Sequence, residues 1–322
     1  MHARRATLLA LLLLSAAAHG QFVGPLPYVQ ASDTPLDTSG NFQLETFEDS
    51  LLDTLGVTSV GGASIGAPSF ITDSVDADDG ALDGKGLAGH SYFANGATGI
   101  RFNFDAAALG GLPTQAGVVW TDGSTVNTVT FEAFGASGAS LGTIVAPNVG
   151  DNAFEGGTAE DRFFGVTHAG GLSAIFIKCT PAAGAAGSGI EVDHLQYGTP
   201  SAWTDLGFAK AGSNGTPHLS GTGPLTPGSA DQLALASAKP GAVATLVVGL
   251  AAVNAPFKGG TLVPQPLLLI SLPTNGAGAL ALPFVLPAGF PAGAKLYFQD
   301  WIHDAGASGG FSASNGLKGV SS

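Results

Sequence analysis

The sequence predicts an all-β protein, with an N-terminal jelly-roll-like β-sandwich followed by a smaller C-terminal β-sandwich. Three observations predict it. Apolar residues alternate with polar ones at period two, as in Ile100/Phe102/Phe104 against Arg101/Asn103/Asp105, which is the pattern of half-buried strands. The 49 glycines and 19 prolines of the 322-residue chain punctuate these segments as turn residues do. No segment beyond the N-terminus sustains a 3.6-residue period, although residues 50–55 have room for one or two helical turns. A hydrophobic content of 45% supplies a core and excludes wholesale disorder.

In chain order, residues 1–20 read as a secretory signal peptide. Arg4 and Arg5 open it, Leu8 to Leu14 form a short apolar stretch, and Ala16 to Gly20 offer small residues for cleavage. Residues 21–40 read as a leader segment. The first domain spans 41–198, with strands expected at 42–47, 69–72, 100–104, 118–120, 129–132, 143–145, 162–166, 175–179 and 191–197. A loose stretch rich in Gly, Ser and Asn marks a linker at 199–220. The C-terminal module spans 221–322, with strands at 232–236, 245–250, 267–272, 279–285, 295–302 and 311–314. The apolar stretch 264–287 is broken by prolines, so no membrane span is expected.

Charge separates the two halves. Residues 21–198 carry 20 acidic and 4 basic side chains, a net −16, whereas 199–322 carry 4 and 5, a net +1. A chain with an overall charge of −13 has no dense basic face, which excludes nucleic acid as an expected partner. The lone Cys179 alternates with Ile175 and Ile177 and reads as a buried strand thiol.

Several runs resemble known secreted modules. Glu45-Thr46-Phe47-Glu48-Asp49, the acidic stretch from Asp73 to Gly80, Glu160-Asp161-Arg162-Phe163-Phe164-Gly165 and the segment from Gly189 to Gly198 resemble an acidic domain of bacterial extracellular proteins, including those with PEP-CTERM sorting tails. Leu225 to Ser229, Asn254 to Gly260 and Phe311 to Leu317 resemble a C-terminal module of secreted planctomycete proteins. The resemblance implies export and modularity, with no activity attached to individual residues.

The strongest chemical signal is acidic. Asp73, Asp76, Asp78, Asp79 and Asp83 lie within eleven residues, with Gly80 and Gly84 between them, a grouping suited to a hard cation such as calcium. It is not an EF-hand: counted from Asp76, the fifth position is Gly80 and the twelfth is Leu87. A second candidate calcium site joins the ends of the first domain, where Glu45 and Glu48 meet Glu191 and Asp193. For a glycan ligand, Tyr92 and Trp120 with Asp122 are the candidate platform. Trp203 near Asp205 is a further possibility, and the face Tyr297/Trp301/His303 in the C-terminal module could serve as an inter-domain or partner surface. Two Gly-x-Ser-x-Gly strings lack the strand-to-helix setting of a nucleophile, and no histidines pair at zinc-protease spacing. The expectation is therefore a secreted, non-catalytic surface protein that binds a glycan or another surface component through a calcium-stabilised domain. The alternatives are an extracellular polysaccharide hydrolase and a structural matrix component.

Overall fold

The computed structural model describes residues 19–61, 63–66, 72–95, 98–123, 126–151, 156–181 and 189–322. Residues 1–18 of the expected signal peptide, and 69–71 of one expected strand, lie outside them. The chain divides into two compact units, Met1–Pro200 and Ser201–Ser322.

The first unit contains β1 (Gln21–Pro27), β2 (Asn41–Glu45), β3 (Val57–Val60), β4 (Ala63–Ile65), β5 (Tyr92–Asn95), β6 (Ile100–Phe104), a one-turn helix α1 (Ala106–Leu109), β7 (Gln115–Asp122), β8 (Asn127–Gly135), β9 (Ser140–Val149), β10 (Arg162–Thr167), β11 (Leu172–Pro181) and β12 (Gly189–Thr199). One antiparallel sheet runs β1-β10-β7-β12-β5-β4, with β2 also on β12; the other runs β3-β6-β11-β8-β9. Their inner faces close a single core, to which Val118, Trp120, Phe164, Val192 and Tyr197 contribute from the first sheet. Ile100, Phe102, Val129, Phe131, Ile175 and Ile177 contribute from the second. The alternation legible in the sequence is what fills this layer: β8 is buried at every second position along its length.

Strand β7 departs from that pattern, because all eight of its residues are buried. Its inward side chains meet the sandwich core, so its outward ones need a second cover. That cover is a separate cluster of Tyr28, Leu36, Val75, Val119 and Phe163. Tyr28 and Leu36 come from the segment after β1, and Val75 from the acidic loop between β4 and β5. The ring of Tyr28 stacks on Phe163 at 6.0 Å between centroids.

The second unit contains β13 (Trp203–Gly207), β14 (His218–Thr222), β15 (Asp231–Ala236), β16 (Val243–Gly249), β17 (Ala252–Phe257), β18 (Gly260–Pro264), β19 (Leu268–Pro273), β20 (Leu280–Phe284), β21 (Lys295–His303), β22 (Phe311–Ala313) and β23 (Gly316–Val320). A sheet β13-β23-β21-β16-β19, with β22 on β21, shares a core with the sheet β14-β15-β20 through Leu219, Leu233, Leu246, Phe298 and Ile302. The hairpin β17–β18 covers the other side of β21. Val263 donates its N–H to Gln299 Oε1 at 3.0 Å, and Phe257 meets Trp301 edge-on. Trp301 is thereby buried, so the expected open face of Tyr297, Trp301 and His303 is closed at its middle.

Three expectations are corrected. The leader 21–40 is not separate from the first domain, since β1 pairs with β10 from Gln21↔Thr167 to Pro27↔Arg162. The linker 199–220 is not a linker throughout: β13 pairs with β23 and β14 with β15, both within the second unit. Residues 50–55 form turns and irregular backbone rather than helix. β1 and β13 are edge strands with little apolar alternation that are recruited by partners far away in sequence, whereas β14 pairs with the next strand in the chain.

Asp300 on β21 yields a prediction for the second unit. Its carboxyl is buried, Oδ1 has no hydrogen-bond partner among the described residues, and burial alone pushes its pKa up to about 7. A raised folded-state pKa means that its stabilising contribution is complete below the ordinary value near 4 and is lost as pH rises to about 7, by roughly 1.4 kcal/mol per pKa unit. Asp300→Asn is expected to flatten that part of the pH–stability curve of the second unit, as measured by urea unfolding between pH 4 and 8.

Candidate functional site

The acidic residues meet on the outer face of the β7-containing sheet. From Thr72 to Val75 the chain runs along β12 and is fastened to it by side chains: Asp73 N–H donates to Glu191 Oε2 and Val75 N–H to Asp193 Oδ2, both at 2.8 Å. A 3-10 turn at Asp76–Asp79 follows and ends at Gly80, whose φ of +92° is left-handed. Asp76 Oδ1 then accepts the N–H groups of Asp83, Gly84 and Lys85 at 3.0–3.2 Å and closes the loop on itself. The returning strand of the loop is tied to Gly156 and Thr158 by Gly86 N–H→Gly156 O and Thr158 N–H→Gly84 O. Loop 72–90 is therefore held to the β10 side as well as to β12.

Next to it, β12 is irregular. Its register with β7 shifts between Asp193 and Gln196, and His194 takes a left-handed φ of +43°, the signature of a bulge that redirects a side chain. The redirected imidazole bridges two elements: Nε2 lies 2.9 Å from Asp78 Oδ2 and Nδ1 lies 2.9 Å from the Tyr28 hydroxyl. Asp78, Asp193 and His194 form the one group among the described residues whose possible metal-ligand atoms all lie within 4.8 Å of one another. These atoms are already engaged, since Asp193 accepts the N–H groups of Val75 and His194, and Asp78 pairs with the imidazole.

Of the residues expected to hold calcium, Asp73, Asp76, Asp78, Glu191 and Asp193 come together under or in this loop and Glu48 lies close enough to act on Asp78 and Asp193, whereas Glu45, Asp79 and Asp83 are held elsewhere. Asp79 caps Ala81 within its own turn, and Asp83 is exposed. Glu48 accepts the N–H of His90 at 2.6 Å. Glu45 is taken up by the N–H groups of Phe47 and Thr54 and the Thr54 hydroxyl. Of the expected site at the ends of the first domain, Glu45 is thus taken up by local hydrogen bonds and Glu48 by the distant His90. The aromatic platform is also corrected. Trp120 is 0% and Tyr92 6% exposed, Tyr92 stacks on Phe47, and Asp122 is buried. Tyr92 and Trp120 point inward in register with Val192 and Val118, so neither presents a face to a sugar.

The sequence reading missed Glu160, Asp161 and Thr121. Asp161 is 0% exposed. Burial, then Asp73, Asp193 and Glu160, hold its carboxyl well above the ordinary range. Asp73 is pushed up to about 9 by burial and by Asp122, Glu160 and Glu191. Glu191 rises to about 7 through burial, partly offset by hydrogen bonds from Asp73 and Ser91. The adjacent Phe163 and Phe164 hid Asp161, because with an aromatic residue on each face the alternation does not say which way Asp161 points.

A second feature is an open cleft of about 580 Å³ where β9 ends and β10 begins, lined by Pro25, Val145, Asn148, Asp151, Glu160 and Arg162 among others. Burial, reinforced by Asp151, raises Glu160 to about 7.

No protein-family model matches the chain, and no curated protein matches it. Among solved structures it is similar to the N-terminal CBM22-1–CBM22-2 tandem domain of Xyn10C from Paenibacillus barcinonensis, at 9% identity over 90% of this chain and 92% of that one, with a TM-score of 0.28. It is also similar to a tetra-tandem repeat from the extending region of a large adhesion protein (11% identity, 82% and 50% coverage, TM-score 0.22). A third is a beta-1,2-glucanase from Parabacteroides distasonis (8% identity, 89% and 39% coverage, TM-score 0.21). At these TM-scores the likenesses carry no functional argument.

Docking of the acidic loop depends on close approach at Gly86, where an added Cβ would lie 1.9 Å from the Ser74 carbonyl oxygen. Gly86→Ala is expected to cost about 1–3 kcal/mol and to increase amide exchange across residues 72–90. Hydrogen exchange read by mass spectrometry checks this, with the second unit as an unchanged internal reference.

Proposed function

We propose that the protein is exported and that its first unit is a calcium-stabilised module that binds a neutral glycan in the cleft at the start of β10. The carrying observation is the set of polar groups that converge there: the Asn148 amide, the Asp151 and Glu160 carboxylates and the Arg162 guanidinium. Together they supply acceptors and donors for vicinal hydroxyls, and Pro25 and Val145 offer apolar surface to a sugar face. Two acids in the cleft and the −16 of residues 21–198 favour a neutral polymer over an acidic one. Export rests on the basic, apolar and small-residue order of residues 1–20. Calcium rests on the acidic side chains buried in and under loop 72–90, among which Asp73 keeps Oδ1 without a hydrogen bond among the described residues.

A glycan array probed with the full chain, with and without calcium, tests the reading. Neutral polysaccharides should be retained, and Asp151→Ala should weaken retention at least tenfold. Absence of binding to every neutral glycan in both conditions refutes it.

One observation favours a second reading, hydrolysis of the bound polysaccharide. Burial, reinforced by the neighbouring Asp151, raises Glu160 to about 7, so this carboxyl can carry a proton near neutral pH as a general acid must. In that case reducing ends should be released, and Glu160→Gln should abolish release while weakening retention on the array far less.

A further inference from the structure

The outer face of the β7 sheet holds a row of buried oxygen atoms without partners. Continued by one residue beyond the end of β10, the register Arg162↔Trp120, next to Phe163↔Val119, sets Asp161 beside Thr121. Phe163 and Val119 belong to the outer cluster, whereas Phe164 and Trp120 belong to the core. By alternation Asp161 and Thr121 therefore face outward, toward loop 72–90. Both are 0% exposed. Neither carboxylate oxygen of Asp161, nor the Thr121 hydroxyl, nor Asp73 Oδ1 has a hydrogen-bond partner among the described residues.

Among the described residues no basic side chain pairs with them. Arg162, the neighbour of Asp161, directs Nη1 to the carbonyl oxygens of Ala159 and Asp161 instead, and Lys85 in the loop is exposed. A buried carboxylate with no hydrogen bond and no counter-charge costs several kcal/mol. Protonation removes the charge but leaves an O–H that also needs an acceptor, and these oxygens are bonded to nothing. A lone buried water would satisfy some lone pairs and leave the charge in place. A cation removes both costs, because its ligand oxygens gather round it without bonding one another. All the donors are oxygens, which selects a hard ion over zinc or copper.

We propose that a divalent hard cation of the calcium class binds between β10, β7 and loop 72–90, with Asp161, Thr121 and Asp73 as its protein ligands, and that it clamps the loop to the sheet. This locates the ion away from the Asp78–Asp193–His194 group, whose atoms are already paired, and away from the exposed Asp79 and Asp83. It rests on the reading that the first unit takes up calcium, and it adds residues from two strands that the acidic loop does not contain. The loop is tied to β12 by Asp73 and Val75 and to the 156–158 segment by Gly84 and Gly86. The ion would fill the space between those two seams.

The test uses the full chain, stripped with a chelator and then titrated with terbium, whose luminescence is excited through Trp120, the residue before Thr121. Calcium is the competitor and melting temperature the parallel readout. The wild-type protein is expected to bind terbium, to release it to calcium, and to gain a few degrees in Tm with millimolar calcium. Sodium at equal ionic strength should not reproduce the gain. Asp161→Asn should weaken terbium binding at least tenfold, abolish the calcium-dependent gain, and raise Tm in chelator above that of the wild type, because the uncompensated charge is gone. Thr121→Val, nearly isosteric, should weaken binding several-fold and serves if Asp161→Asn does not fold. Asp79→Asn should change nothing. Unaltered terbium and calcium responses in both Asp161→Asn and Thr121→Val would overturn this location while leaving calcium uptake standing. No response to either ion in the wild-type protein would overturn both.

Discussion

Strand β7 is buried along its whole length, and the organisation of the first unit follows from that. A strand at the centre of a sandwich normally hides one face and wets the other. Here the second face carries Val119 and Thr121, flanked by Phe163 on β10 and Asp193 on β12, and it is roofed by the chain after β1 and by loop 72–90. The roof is thin, so apolar area contributes less to its attachment than polar contacts do. Val75, Tyr28 and Leu36 supply a small apolar patch, and the remainder is hydrogen bonding between loop backbone and carboxylates of the sheet.

That choice of fastening explains the electrostatics. Carboxylates that accept backbone N–H groups must sit under the loop, out of water. Burial is the first cause of every raised acid pKa in the cluster, ahead of repulsion between neighbours and ahead of the hydrogen bonds that lower it. Desolvation therefore wins over local pairing at Asp73, Asp161 and Asp193. Where an acid is instead met by enough donors the result reverses, as at Asp304 in the second unit, whose carboxyl the N–H groups of Ser213 and Gly306 and the Ser213 hydroxyl hold down at about 2. The same residue type thus stands under opposite balances: at Asp304 donors outnumber the charge, whereas at Asp161, and at Asp300 in the second unit, burial goes uncompensated.

The cleft at the start of β10 adjoins this cluster through the dipeptide Glu160-Asp161. Its two members face different tasks, since Glu160 lines an open cleft while Asp161 is sealed beneath the loop. A change in the docking of loop 72–90 would be felt at the cleft through the 156–158 seam. The loop and the cleft therefore share the 156–158 seam as a backbone connection.

The sequence by itself determined the fold class, most strand positions in both units and the separation of charge, because alternation at period two and turn residues are local properties. It also picked out the aspartates of the 73–83 loop. It could not determine which of them are used: Asp76 is consumed in closing its own loop, and Asp79 in capping its own turn. Nor could it show that Trp120 faces inward, since a strand buried on both faces has no polar side to fix its orientation, or that Tyr92 does, since Phe93 beside it is apolar too. The recruitment of β1 and β13, the bulge that turns His194 toward Asp78, and the placing of Asp161 beside Thr121 and below Asp73 were decided by tertiary structure alone. The physical reason is the same in each case: these are pairings between residues tens to more than a hundred positions apart, and a cross-strand register carries information that no local periodicity contains.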